Sequence, residues 1–466
     1  MAKVAIIGGG VAGVTSALLL DENITLFEAK STLVSGPPFC HLHAGGNLYP
    51  DLSTSECLQL LEESIEFLKL YPFSVDFRPT IITFPYTCNK DPKEYINRLE
   101  TIKDRYKDLI ANSSANKVLG EAEEYYKIYK KIDIAKLKTR DIPKNPKSFD
   151  DWLISFAKFV NLDSLKDPIV IVNEYGLNLF RLATAAKIAL QNKDKTKLYL
   201  NKKVIDVKRV GQKFVVSYES GDAILQEKFD YLINAAGFKS GKIDEWLGYQ
   251  RSRFVEFKAA YITKWRSDIK FAEIIFHGKR GTSKGMAQFT PYNGGYYQLH
   301  GMSNDITLFK NGLVKTSNSC SQPKLSKNFL DIIESGWSQD LAEIRTKRAI
   351  EHFSNYIPTF AKEARVTKVP LFGAQQIPGD NSELRATEVS FELNYARCEI
   401  VKVSSAITMV KEIAKKFNLS LNQKYQNLLD ISSEIIDQEA QNIASSRNYP
   451  SQLGIILNPK EKNNIL

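Results

Sequence analysis

Cysteine is scarce in this chain and never falls at redox or metal-binding spacing. Five thiols (Cys40, Cys57, Cys88, Cys320 and Cys398) are scattered over 466 residues with no CxxC pair. This excludes a disulfide framework and a structural zinc site, and it fits a reducing compartment. Long apolar runs are missing as well, so no segment of about 18 residues suits a membrane-spanning helix. A signal peptide is also excluded: glycines interrupt the apolar stretch after Lys3, and no small-x-small cleavage site precedes a polar start. Lys and Arg outnumber Asp and Glu by 63 to 53, a net charge of +10, but no basic block is interleaved with aromatics, which argues against nucleic acid as a partner. That excess charge either attracts an anionic membrane surface or acidic substrate, or is spread over solvated faces.

What is present is the balance of a globular protein, with 43% hydrophobic and 25% charged residues, and a length that suggests about two domains. The most informative stretch is MAKVAIIGGGVAGVTSALLLDENITLFEAK. Residues 4–7 form an apolar run suited to a buried parallel strand. Gly8, Gly10 and Gly13 follow in GxGxxG spacing: the first for a tight turn, the second for close approach to a pyrophosphate, the third for helix–strand packing. The helix starting there aims its N-terminal N–H groups at phosphate. Residues 24–27 read as a second strand, and Glu28 stands 20 positions after Gly8, where an acid accepts hydrogen bonds from a ribose. Only Asp21, Glu22 and Asn23 separate helix from strand, which predicts a helix about one turn shorter than usual.

A nicotinamide dehydrogenase would continue with further βα units. This chain runs instead into STLVSGPPFCHLHAGGNLYP and returns only much later, through a hairpin-like alternation over 202–229 and a strand, 231–234, ending in Asn234-Ala235-Ala236-Gly237. The late return resembles the FAD-dependent oxidoreductases of the D-amino-acid-oxidase and glycine-oxidase superfamily, over blocks 4–28, 203–240 and a C-terminal block. The resemblance implies FAD as cofactor, with the backbone at Val204 meeting its adenine end and the turn at Ala236 and Gly237 passing close to it.

SGPPFCHLHAGG allows three readings. Cys40, His41 and His43 could bind metal, but the cluster is compact and lacks partners elsewhere. His43-Ala44-Gly45-Gly46 resembles the segment by which some dimethylglycine-dehydrogenase-like proteins attach FAD covalently. The preferred reading is non-covalent: the loop wraps the flavin edge, with Gly45 and Gly46 letting backbone touch the ring. Ser53-Thr54-Ser55-Glu56 is a capping-box pattern opening a helix with Leu58, Leu61, Ile65 and Leu68 on one face. Residues 77–86 read as a strand opening a substrate domain, where Arg78 either clamps a carboxylate or is an ordinary surface charge.

Residues 91–165 read as charged and largely helical, and ANKVLGEAEEYYKIYKKIDIAKLK resembles a segment of malate:quinone oxidoreductases. Residues 254–314 alternate like the main substrate sheet, with an Asn293-Gly294-Gly295 turn between 287–292 and 296–300. His300, at a strand end, is the first candidate for a substrate-facing base, and His277 the second; each has a structural reading beside it. In the C-terminal block, Lys402, Ser404 and Ser405 begin a helix whose N-terminus, by the resemblance, faces the flavin pyrimidine, although the usual glycine-rich turn is missing.

These readings give an α/β protein: a discontinuous FAD-binding Rossmann-like domain of the glutathione-reductase type (1–75, 165–250, 365–420), a second antiparallel-sheet substrate domain (76–164, 251–364), and a C-terminal helix and tail (421–466). The resemblance implies hydride removal from a small 2-hydroxy acid, malate-like, with electrons passed to a membrane quinone; the expected location is cytoplasmic, with peripheral docking on the inner face of the membrane as an option. The alternative is an amino-acid or secondary-amine dehydrogenase or oxidase. No metal is expected.

Overall fold

The computed structural model describes residues 1–382, 388–399, 402–422 and 431–459. Strand β1 (Lys3–Ile7), helix α1 (Val11–Leu19) and strand β2 (Asn23–Phe27) form the expected unit, and α1 has only nine residues, as the short connection requires. β1 is the centre of a six-stranded sheet: β2 and then Thr196–Tyr199 lie on one side, and Tyr231–Asn234, Tyr395–Glu399 and Glu388–Glu392 on the other. All pairings are parallel except the last, with Val4 between Ile24 and Tyr231. Every side chain from Val4 to Ile7 is buried, because both faces of this sheet are covered.

The alternation over 202–229 becomes a three-stranded antiparallel sheet (Val204–Val210, Lys213–Ser220, Ala223–Phe229). Behind it, Phe27, Tyr218 and Phe229 pack together, with Phe27 centroids 5.0 Å and 5.9 Å from the other two rings. The capping box is realised: Ser53 caps helix Thr54–Leu70 and exchanges hydrogen bonds with Glu56.

The second unit is a nine-stranded, mostly antiparallel sheet. Its centre holds Arg253–Lys264, Glu273–Phe276, Ala287–Tyr292 and Tyr296–Gly301, with the expected turn at Asn293, Gly294 and Gly295. Three strands depart from the sequence reading. Tyr126–Tyr129, read as helix, is a strand at the sheet's far end. Ile169–Val172 joins the same sheet, so the chain leaves the substrate unit after residue 172 rather than 164. Arg365–Pro378, placed by the sequence with the dinucleotide unit, pairs along its length with Arg253–Lys264. The C-terminal helix runs over Ser433–Ser446; the start of that expected helix (423–430) and the last of the tail (460–466) lie outside the described residues.

Gly8 and Gly13 are where the backbone needs glycine. Gly8 has φ +105°, and a Cβ on Gly13 would lie 1.9 Å from the Gly8 carbonyl oxygen. Gly10 is different: a Cβ there meets nothing within 4 Å. Gly13→Ala is therefore expected to destabilise the protein by about 2 kcal/mol or more, and Gly10→Ala by less than about 1 kcal/mol; urea unfolding of the two variants checks the contrast.

Candidate active site

The two units meet at a cleft of about 1630 Å³. One wall comes from the segment after β2 and the helices Thr54–Leu70 and Ala406–Phe417; the other is the large sheet. Alternation decides what the sheet presents. Phe289, Tyr297 and Leu299 point into the substrate-unit core, leaving Gln288, Gln298 and His300 on the cleft face, with Gln288 opposite His300. Lys258, on Arg253–Lys264, lines the same wall; it donates to Gln375 at 2.9 Å and lies 3.1 Å from Glu256. Arg280 also pairs with Glu256, which is 4% exposed.

Of the sequence-chosen residues, His43, His277, His300, Lys402 and Ser405 all line this cleft. His300 Nδ1 and His277 Nε2 are buried without hydrogen-bond partners. Burial, reinforced by the Lys258 and Arg280 charges, pushes the His300 imidazole down to about 3. Burial takes His277, stacked on Phe84 at 4.4 Å, down to about 4. Both are neutral at physiological pH. His43 is held well below its ordinary value by burial and by the Lys402 and His41 charges, and its Nδ1 lies 2.5 Å from the Tyr49 hydroxyl. Lys402 Nζ sits 4.9 Å from the centre of the Tyr49 ring, and burial lowers its pKa. Ser405 Oγ donates to Glu63 at 2.5 Å, and Ser404 is buried beside it.

Gly45 and Gly46 lie behind the cleft surface. A Cβ on Gly45 would collide with the Cys57 carbonyl, and one on Gly46 with the Tyr125 hydroxyl. They serve close packing of the loop rather than lining the cleft. Gly8, Gly10, Gly13, Ala236 and Gly237 form one turn region: a Cβ on Gly8 would sit 3.0 Å from Ala236 Cα. Glu28 is buried next to it and accepts hydrogen bonds from Gly9 N–H and Lys30 N–H, both at 2.8 Å. Lys202 N–H donates to the Glu28 carbonyl at 2.9 Å, which brings Val204 to the same end of the sheet. These residues fit a dinucleotide: open space over Gly10 at a helix N-terminus, and a buried carboxylate beside it.

Arg78 is not a substrate clamp. It is 1% exposed and bound to Glu273, with Asp76 3.5 Å away, and it does not line the cleft. It belongs to a buried network the sequence did not reveal. His41 Nε2 lies 2.9 Å from Glu174, and its Nδ1 lies 3.3 Å from Glu273. Glu174 also accepts from Ala44 N–H at 3.1 Å and Gly46 N–H at 2.6 Å. Glu273 further binds the Gln288 side chain. Burial alone would lower the His41 pKa, but Glu273 and Glu174 outweigh it and raise the imidazole to about 9, so it is a cation. Arg78 and His41 together overcome the burial of Glu273 and hold its carboxyl well below the usual range.

No protein-family model and no curated protein sequence matches the chain. Its fold is shared with solved structures at low identity. Glycine oxidase from Geobacillus kaustophilus superposes with a TM-score of 0.55 at 11% identity, over 89% of this chain and 94% of that one. L-α-glycerophosphate oxidase from Mycoplasma pneumoniae, solved with FAD bound, gives 0.53 at 16%, over 91% and 98%. L-amino acid deaminase from Proteus vulgaris gives 0.55 at 12%, over 92% and 97%.

A raised His41 pKa stabilises the fold fully below the unfolded-state value of about 6.5, and that stabilisation is lost as pH rises through about 9. Thermal melting should therefore fall as pH is raised across this window in the wild type. His41→Gln should show a flatter profile. Glu273→Gln, which leaves Arg78 and His41 buried without their shared anion, should cost about 3 kcal/mol or more at neutral pH.

Proposed function

We propose that this protein is an FAD-dependent oxidoreductase that removes a hydride from a carbon bearing a hydroxyl or amino group in a small anionic substrate. The observation that carries the reading is the cleft lined by the neutral histidines His277 and His300, each with an unpartnered ring nitrogen, in a fold that also holds a glycine turn with open space at a helix N-terminus. The shared fold supports it, because the neighbours named above are oxidases and a deaminase, one with FAD bound.

Gly8, Gly10, Gly13 and Glu28 would hold the dinucleotide, with the Val204 backbone at its adenine end and Ala236 and Gly237 beside the turn. His43, Lys402 and Ser405 would hold the ring end in the cleft, with Ser404 and the helix behind them supplying a positive dipole end. Bound FAD would supply the hydride acceptor. The protein's own work is to bind the anion, orient the C–H bond and take the hydroxyl or amine proton. Lys258 and Arg280 replace Arg78 as the anion-binding pair. His300 is the proton acceptor, and His277 lines the same cleft. An anion beside Lys258 and Arg280 would offset the part of the depression that those charges add to burial, so binding would raise the basicity of His300.

A 2-hydroxy acid of the malate type, with a quinone as electron acceptor, is the simplest substrate class of this kind, and the resemblance to malate:quinone oxidoreductases supports it. No described helix is long and apolar enough to cross a membrane, so a membrane quinone would be met from the surface. The amino-acid or secondary-amine reading is favoured by Glu56 and Glu412, which place negative charge on the wall opposite Lys258.

Anaerobic flavin bleaching decides between them. Rapid loss of flavin absorbance with a 2-hydroxy acid, reversed by a quinone analogue, is the expected outcome; bleaching only by amino acids would transfer the assignment to the amine class, and a chain purified without flavin would overturn the cofactor. His300→Gln should slow the reduction step about 100-fold with substrate affinity little changed. Gly10→Ala should yield folded protein with markedly less bound FAD, read from the ratio of visible to ultraviolet absorbance.

A further inference from the structure

The segment Gly-Lys-Arg-Gly-Thr-Ser-Lys-Gly, residues 278–285, connects strands Glu273–Phe276 and Ala287–Tyr292, and seven of its eight residues line the cleft. Its base is pinched shut. A Cβ on Gly278 would collide with the Lys284 carbonyl and one on Gly285 with the Met302 carbonyl, and Gly281 N–H donates to that same Met302 oxygen at 2.8 Å. Gly281 has φ +78°, which turns the chain back on itself.

The loop is rich in donors that the protein does not use. Lys279 and Lys284 have no ion-pair partner among the described residues. The backbone N–H groups of Lys279, Arg280, Ser283 and Lys284, and the Ser283 hydroxyl, have no hydrogen-bond partner there either. Arg280 is oriented by Glu256, the carboxylate that also neighbours Lys258. Lys258 and Arg280 thus flank the buried Glu256, and Lys279 and Lys284 line the same cleft as His300. Lysines act as point charges on phosphate, and free backbone N–H groups in a glycine turn form a concavity for its oxygens. A single carboxylate, with two oxygens and one charge, would leave most of these donors unused.

We propose that the 278–285 loop is a receptor for a phosphate group, and that the small hydroxy acid oxidised in this cleft carries a phosphate ester. The substrate half rests on the oxidoreductase reading above; the receptor half does not. The phosphate would be held by Lys279, Arg280, Lys284 and the loop N–H groups, leaving the carbon to be oxidised toward His300. A phospholipid headgroup at the cleft mouth offers the same chemistry, so the test separates the two sources.

The full-length protein, as purified, is titrated with inorganic phosphate, followed by ³¹P line width and by thermal shift. Saturable binding is expected, weakened about tenfold or more in the double variant Lys279→Gln/Lys284→Gln, whose melting temperature without phosphate matches the wild type because both side chains are exposed. Absence of saturable binding, or equal affinity in the double variant, overturns the receptor. Malonate binding as tightly as phosphate at equal concentration overturns the choice of phosphate over carboxylate. Cosedimentation with phosphatidylglycerol vesicles that free phosphate abolishes keeps the receptor and overturns the substrate assignment. None of these readouts requires turnover, so a protein whose flavin is never bleached would sink the oxidoreductase reading and leave the phosphate result standing.

Discussion

The arrangement of the cleft depends on two buried carboxylates, Glu174 and Glu273. Each is removed from solvent at a cost of several kcal/mol unless it is fully paired, and each is paired across a long stretch of sequence. Glu174 lies just beyond strand Ile169–Val172, where the chain leaves the large sheet, and grips Ala44, Gly46 and His41. Glu273 opens a strand of the large sheet and grips His41 from the other side, together with Arg78 and Gln288. His41 is thus the cation shared by both acids. The wall-forming loop of the dinucleotide unit is fixed to the substrate unit through charge, not through apolar packing alone. The same anchoring reaches the cleft surface in one step, because Glu273 also orients the Gln288 amide opposite His300.

This anchoring explains the division of labour among the histidines. His41, between two carboxylates, is protonated and spends both ring nitrogens on the protein. His43, His277 and His300 have no carboxylate against them, and burial keeps them neutral. A neutral ring with a free nitrogen can take a proton; a clamped imidazolium cannot. Four histidines around one cleft therefore hold two kinds of role, set by whether an acid lies within about 3 Å.

Local sequence made the dinucleotide unit legible and hid the network. β1, the glycine turn, α1, β2 and Glu28 lie within 28 residues, so spacing alone reports their geometry, and the short helix followed from the three-residue connection. The capping box at Ser53 and the Gly294-Gly295 turn are local for the same reason. Arg78 was ambiguous because its partner, Glu273, is 195 positions away. The sequence did carry one hint, an acid heading the apolar strand Glu-Ile-Ile-Phe, since a carboxylate buried there requires a cation. Tyr126–Tyr129 reads as helix in the sequence because its flanking lysines and glutamates favour one, whereas pairing with Ile169–Val172 makes it a strand. The return of Arg365–Pro378 to the large sheet is likewise a tertiary choice: its apolar residues are compatible with either unit, and its pairing partner begins 112 positions earlier.

The chemistry of the sheet wall follows from one consequence of this electrostatic layout. Burial is the main cause that depresses His300, and Lys258 and Arg280, the cations that would receive an anion, depress it further. A neutral substrate would meet a histidine too weakly basic to deprotonate it efficiently, however well it fitted the cleft. The anionic substrate proposed above would offset those charges on arrival and strengthen the base beside it. In the proposed reaction, charge selection and proton abstraction would therefore be coupled through Glu256, Lys258, Arg280 and His300. In the proposed reaction the cleft would discriminate by substrate charge at the chemical step as well as at binding, which is where discrimination raises specificity most.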